Sequence, residues 1–255
     1  MKIYVCVKHV PDSAATITIV GPNRISTDIT FLMNPYDEHA MTEAARIKAQ
    51  TPQAEVIAVC VGPAAAENTL RSAMAMGADR SILVVADDLP DSILTAAALS
   101  AAISRDGQPA MILGGKESID SGGMQTLFRL AHRMGLPAAV NVVSVRLEEG
   151  SAVVTCEKEA GASDVLRLRL PCVIGAGKGL NTPRYPTFPD IVKSRKKEVR
   201  RVDLAALALP RPAAGMHIVD LQLAVEKRVP KALTGSAAEI ARRIVAILKE
   251  EARVS

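Results

Sequence analysis

Four short, almost wholly apolar runs constrain this chain more than any other feature. They are Lys2-Ile-Tyr-Val-Cys-Val-Lys8, Ala54-Glu-Val-Ile-Ala-Val-Cys-Val61, Ser81-Ile-Leu-Val-Val85 and Ala110-Met-Ile-Leu113. Stretches with helical periodicity lie between them. A strand that is apolar on both sides must be buried on both faces, and alternation of such strands with helices specifies a parallel sheet covered front and back. The expected fold is therefore α/β, a Rossmann-like parallel sheet with helices on both faces. The first helix has start signals in Asn34 as N-cap and Pro35 at the first helical position, followed by an apolar stripe of Ala40, Met41, Ala44, Ala45 and Ile47. A second helix is expected over about 64–76, stopped by Gly77, and a third over about 91–104. The fourth opens after Ser121-Gly122-Gly123, carries Leu127, Leu130, Ala131 and Met134, and ends at Gly135 and Pro137.

After Pro137 the pattern changes. Segments 139–147, 151–157 and 164–170 alternate as strands do, with Glu149-Gly150 as a hairpin turn and 171–175 as a further central strand. From Gly177 the chain reads as irregular, with Pro183, Pro186 and Pro189. The tail from Val202 has little periodicity until Ser236-Ala-Ala-Glu239, a capping box, which opens a last helix with Ile240, Ile244, Ile247 and Leu248 on one face. The domain organisation expected is a nucleotide-binding α/β domain over 1–201, including a segment 181–197 suited to recognition, then an extended C-terminal arm and helix over 202–255. An arm with so little core of its own is suited to packing on another subunit.

Composition narrows the function. No apolar run reaches the eighteen or so residues of a membrane span, and Met1-Lys2-Ile3-Tyr4-Val5 reads as a strand rather than a signal peptide, so a cytoplasmic location is expected. Cys6, Cys60, Cys156 and Cys172 lie far apart in strand-like segments, as buried thiols do, and offer no zinc-ligand spacing. Residues 193–201 hold six cations. With no tryptophan and only three tyrosines and three phenylalanines, the chain lacks the base-stacking platform that a nucleic-acid partner needs.

A parallel sheet binds ligands at the carboxyl ends of its strands. Three loops there are unusual: Lys8-His9-Val10-Pro11-Asp12, Gly62-Pro63, and the glycine-rich stretch from Gly114 to Thr126. The last leads into a helix N-terminus, whose free N–H groups attract phosphate, with Gln125 and Thr126 as added donors. The bland alternative is an ordinary glycine-rich turn. There is no Gly-x-Gly-x-x-Gly after the first strand and no P-loop. No Gly-x-Ser-x-Gly elbow is present, and His9, His39, His132 and His217 sit in separate segments without a nucleophile. In the proline-rich stretch, Phe188 is suited to anchoring an interface. A core phenylalanine is the competing reading, and the basic run following it is either a steering patch or a solvated face.

The motifs Val5-Cys-Val-Lys8 with Val10-Pro-Asp12, Met33-Asn-Pro-Tyr-Asp-Glu-His-Ala40, Met74-Ala-Met-Gly-Ala-Asp79, Gly115-Lys-Glu-Ser-Ile-Asp120 with Gln125-Thr126, and Asn181-Thr-Pro-Arg-Tyr-Pro-Thr-Phe-Pro189 together resemble the electron transfer flavoprotein β subunit, in collinear order over residues 1–201. The resemblance implies a subunit without a reaction of its own. A partner α subunit holds most of the FAD, while the β subunit binds AMP. By position the AMP pocket would take in Cys6, Asn34, Tyr36, Asp37 and Val61, with Gly115, Lys116, Asp120, Gly122, Gly123, Met124, Gln125 and Thr126. Tyr36 and Ser13 would approach the flavin. Phe188 and Pro189 would dock on acyl-CoA-type dehydrogenases, with Lys193 close behind, and electrons would pass to a quinone-linked oxidoreductase. Glu157 aligns with an interdomain acidic residue, although Cys156–Asp164 runs one residue longer than the family pattern. Leu127 stands where glycine is common. A variant within the family binds a second FAD in place of AMP and splits the electron pair of NADH. An adenine-nucleotide enzyme on a related fold is the reading from a different class.

Overall fold

The computed structural model describes residues 1–87, 90–209, 215–216, 218–224, 230 and 232–250. Its core is a nine-stranded sheet. In chain order the strands are β1 (Lys2–Cys6), β6 (Glu55–Gly62), β7 (Arg80–Val85), β8 (Met111–Gly115), β9 (Ala138–Glu148), β10 (Ser151–Glu157), β11 (Ser163–Arg169), β12 (Cys172–Ala176) and β13 (Val199–Asp203). Two small ribbons take the remaining numbers: β2 (His9–Pro11) pairs with β5 (Phe31–Met33), and β3 (Ile19–Gly21) with β4 (Arg24–Ile25). Across the main sheet the order is β11-β10-β9-β12-β8-β1-β6-β7-β13. The run from β9 to β13 is parallel, and β10 and β11 add an antiparallel hairpin at one edge.

The helices are α1 (Pro35–Gln50), α2 (Glu67–Met76), α3 (Ser92–Asp106), α4 (Thr126–Met134), α5 (Phe188–Ser194) and α6 (Ala237–Glu250). One face of the sheet carries α1 and α2, where Met41, Ala44, Ile47, Leu70 and Met74 pack on Ile3, Val5, Val7, Val56 and Ala58. The other carries α3 and α4, where Ala98, Leu99, Ile103, Leu127 and Leu130 pack on Tyr4, Cys6, Ile57 and Val59. Alternate residues of one strand thus enter opposite cores, which is why the strand runs are apolar throughout. All four cysteines are buried free thiols, and burial pushes the Cys60 thiol up to about 12.

The expected central strands and the first four helices all form. Three parts of the chain differ from expectation. The strand expected over 2–8 ends at Cys6, and His9–Pro11 turns away to pair with β5. The proline-rich stretch is not wholly irregular: Thr187 and Asp190 make a reciprocal capping box, and α5 starts at Phe188. The basic run leads into β13, a parallel edge strand against β7 that spans the expected boundary at 201/202. Leu207, beyond it, is still buried in the core. Between Leu207 and Ala237 no helix or strand occurs among the described residues; His217 and parts of the arm lie outside them. Helix α6 forms with its Ser236–Glu239 capping box and buries none of its residues. Among the described residues no helix is long and apolar enough to cross a membrane.

Candidate functional site

The chain builds outward from β1 in one direction through β6 and β7, then returns to place β8 and β12 on the other side. The strand order therefore reverses between β1 and β8. At such a switch point the loops leaving the two strands diverge and leave a crevice. Here those loops begin after Cys6 and after Gly115.

The first turn of α1 braces both loops. Asp37, 4% exposed, accepts a hydrogen bond on Oδ2 from Lys8 N at 2.7 Å and one on Oδ1 from Gly115 N at 2.8 Å. Burial pushes its carboxyl up to about 7, against the opposing pull of these N–H donors and of Asn34. Asn34 occupies the N-cap position without capping the helix through its side chain. Its Nδ2 instead donates to Glu117 O at 2.9 Å, and its Oδ1 accepts from Ile119 N at 3.1 Å. A side chain on Gly115 would lie 2.5 Å from Asp37 Oδ1 and from Tyr36 Cβ, so glycine is required for the approach. Lys116 Nζ stands 5.3 Å from the centre of the Tyr36 ring.

The far wall is the loop 118–125. Lys8 Nζ reaches across to Asp120 at 2.7 Å and Ser118 Oγ at 3.2 Å. Gly122 has φ +59°, and a Cβ at Gly122 or Gly123 would meet nothing within 4 Å. Met124 also takes a positive φ, 51°. Helix α4 then begins at Thr126 with no acidic residue in its first turn, leaving its opening N–H groups and positive dipole end for an anion. Gln125 is exposed, and its Oε1 is held by Arg129 Nε at 3.1 Å, which leaves the amide nitrogen free to point outward and brings a guanidinium to the helix start. Leu127 lies beneath, 6% exposed, with Cδ2 3.0 Å from the position a Gly114 Cβ would take. It fills the space beside Cys6 and β8. Phosphate chemistry fits this donor set of open glycines and helix N–H groups with Arg129 beside them, while Lys8 holds the far wall through Asp120 and the two serines.

Of the residues singled out from sequence, Asn34, Asp37 and Gly115 are directly bonded across the cleft, Tyr36 and Lys116 are paired beside it, and Asp120 is held by Lys8. Cys6 and Val61 are each 9% exposed and belong to the same core cluster beneath it. Ser13 is exposed on the β2–β5 side. Glu157 is apart from the cleft: it ends β10, exposed, before the turn 158–162 that returns the chain to β11. With Met124, Phe128 and Leu166 it lines an open groove of about 560 Å³. Phe188 (77% exposed), Pro189 and Lys193 lie on α5, which packs against α2, so Phe188 is no core residue. Sequence reading placed Lys8 in a candidate ligand loop without a role for its side chain, and missed Arg129 as part of the site. Each reaches it through a partner whose position only the fold reveals, although Arg129 follows Gln125 at the i+4 spacing of helix neighbours.

The fold and cleft together define a doubly wound α/β protein with a crevice at its switch point that a helix N-terminus faces. Among described residues no group of His, Cys, Asp and Glu is arranged to hold a metal. The electron transfer flavoprotein domain family matches residues 25–207. The electron transfer flavoprotein subunit beta of Syntrophomonas wolfei is 35% identical over 231 residues, covering 86% of this chain and 90% of that protein. That of Bacillus subtilis is 32% identical over 260 residues and covers both chains fully. Subunit CarD of the caffeyl-CoA reductase-Etf complex of Acetobacterium woodii is 30% identical over 98% of this chain and 99% of its own. The chain belongs to the electron transfer flavoprotein family as a β subunit. Such a subunit implies an α subunit as partner, and the assembly carries electrons.

Proposed function

We propose that this chain is the AMP-holding and partner-docking half of a two-subunit electron transfer flavoprotein. Its FAD, held mainly by the α subunit, takes electrons from an acyl-CoA-type dehydrogenase and yields them to a quinone-linked oxidoreductase. The observation that carries the reading is the cleft at the β1–β8 switch point, braced by Asn34 and Asp37 and faced by the N-terminus of α4. AMP suits it: the phosphate meets the N–H groups after Gln125, with the amide of Gln125 and the Thr126 hydroxyl as further donors. Leu127 closes the space beside Gly114 and Cys6, which supports the smaller nucleotide over a second FAD. Helix α6 exposes Ile244, Val245 and Leu248 by 44–49%, an apolar face suited to burial on the α subunit. Tyr36 and Ser13 would approach the flavin, and Glu157 would face the α subunit. FAD supplies the one- and two-electron chemistry; this chain's residues bind, brace and dock.

The test is direct. The chain co-purified with its α subunit is denatured, and the released nucleotides are quantified. One FAD and one AMP per heterodimer support the reading. Two FAD and no AMP would assign the second-flavin role, and a colourless preparation holding only an adenine nucleotide would sink the family role altogether.

A further inference from the structure

Successive turns of α1 hold two separate parts of the molecule. The first turn carries Asn34 and Asp37, which brace the nucleotide cleft. The next carries His39, Thr42 and Glu43, which hold the root of the segment bearing Phe188. Asn181 Nδ2 donates to His39 O at 3.0 Å and to Glu43 Oε2 at 3.2 Å, while its Oδ1 accepts from His39 Nδ1 at 3.2 Å. Arg184 N donates to Thr42 Oγ1 at 3.0 Å. Glu43 is 1% exposed. Arg46 Nε bonds both its carboxylate oxygens at 3.1 Å, and Arg46 Nη2 donates onward to Val145 O at 3.0 Å.

His39 and Glu43 are buried at the centre of this network, Asn181 and Thr42 are half-buried around them, and its members satisfy one another, so it resists partial opening. Asp37 and Glu43 are six residues apart on one helix, about 9 Å along its axis. Ala40, Met41 and Ala44 between and beside them are 0% exposed, which seats α1 on the sheet in one packed position. A displacement of the first turn is therefore passed to the second rather than absorbed between them.

We propose that α1 couples the two sites, with Asn181 and Thr42 as positioning residues that fix the docking segment relative to the cleft. AMP in the cleft stiffens the Asn34–Asp37 turn and so tightens docking of the partner dehydrogenase; by linkage, docking tightens AMP. The proposal rests on the reading of the cleft as an AMP site and of the Phe188 segment as the docking surface.

The experiment uses the intact heterodimer, prepared with AMP retained and with AMP removed, and follows flavin reduction against dehydrogenase concentration. In the wild type, AMP removal should raise the KM for dehydrogenase on the order of fivefold or more, with kcat unchanged, and added AMP should restore it. In Asn181→Ala and in Thr42→Val the KM should already be raised with AMP present and stay flat within about twofold on its removal. Thr42→Ser, which keeps the acceptor for Arg184 N, should behave as wild type. Asn181→Ala with a wild-type KM, or with the full response to AMP, overturns the coupling. So does Thr42→Val if it retains that response where Asn181→Ala fails to fold. Phe188→Ala distinguishes the layers: an unchanged KM there, or a heterodimer that never holds AMP, removes the underlying reading and the coupling with it. A raised KM in Phe188→Ala beside an unaltered Asn181→Ala removes the coupling alone.

Discussion

Replacing Asp37 by asparagine tests the brace at the switch point with almost no change in volume. The carboxylate accepts from two backbone N–H groups on separate strands' loops, Lys8 and Gly115, one to each oxygen. An amide has one oxygen. In either orientation its NH2 group faces an N–H donor, and a buried donor is left unmatched. Losing one hydrogen bond to a charged group and stranding its partner costs about 2–3 kcal/mol. At pH 8, above the value of about 7 to which burial raises this carboxyl, the wild-type group is ionised and its burial cost offsets this loss, so the loss is read at pH 5. The sign of its pH dependence follows from that elevation above the ordinary carboxylate range. Stability from Asp37 is complete below about pH 4 and lost as pH rises through about 7. The gap between wild type and Asp37→Asn should therefore widen from pH 8 to pH 5. Urea unfolding of the heterodimer at fixed protein concentration, followed by circular dichroism, measures both quantities. An Asp37→Asn protein as stable as wild type at pH 5 refutes the bridging role. A gap that narrows on acidification refutes the burial argument.

Other substitutions probe separate parts of the structure. Gly115→Ala places a methyl 2.5 Å from Asp37 Oδ1 and Tyr36 Cβ; overpacking of about 1–3 kcal/mol and a fall in bound AMP are expected from calorimetry and nucleotide analysis. Asp106 is driven upward by burial, but hydrogen bonds from Arg80, Tyr4 and Lys2 outweigh this and hold it well below the carboxylate range. Asp106→Asn should then cost about 3 kcal/mol near pH 7, with the deficit closing as pH falls below about 4 in an acid-unfolding series. Lys197→Ala removes donors to Met74 O and Ala78 O at 2.9 and 2.6 Å and should lower stability by about 1–3 kcal/mol, whereas exposed Lys196→Ala should change it by less than about 0.5 kcal/mol while slowing dehydrogenase association at low salt in stopped-flow. Phe188→Ala should leave the melting temperature unchanged, because the ring is 77% exposed, and weaken dehydrogenase-dependent flavin reduction roughly 30-fold, the equivalent of about 2 kcal/mol for a lost aromatic anchor.

The core was legible because both-face burial leaves an uninterrupted apolar run, and β1, β6, β7 and β8 each have one. β13 has the same neighbours' geometry but not the same signal. As an edge strand it turns only Val199 and Val202 toward the core, and the residues between are Arg200 and Arg201. Charge at a sheet edge discourages pairing with other molecules, and it also hides the strand inside what reads as a basic run. Helix α5 has seven residues, with Pro183 and Pro186 just before it and Pro189 at its second position, too short for a period to emerge. At the cleft, the glycines and the Asn34-Pro35 start were visible. What Asn34 does was not, because an N-cap residue is read locally and its side chain instead bonds residues 117 and 119. The pairing of Lys8 with Asp120, 112 residues apart, has no local signal at all.

The six cations of 193–201 show why a count of charges overstates what a surface offers. Lys197 is half-buried, bonded to carbonyls that close α2. Arg201 is paired with Glu67, and Arg200 reaches Asp106 at 3.4 Å. Arg71 meanwhile donates to the carbonyls of Ser194 and Lys197 at 2.9 and 2.7 Å, fixing the end of α5 from beneath. Half of the run therefore holds β13 and α5 onto the domain. Lys193, Arg195 and Lys196 are left exposed at the carboxyl end of α5, where the helix dipole favours cations, one to two turns from the exposed ring of Phe188. The structural cations set where that ring stands, and the exposed ones set the field around it; an acidic partner surface docking here would meet an apolar anchor and its local positive rim together, as electrostatic steering toward a single buried contact requires.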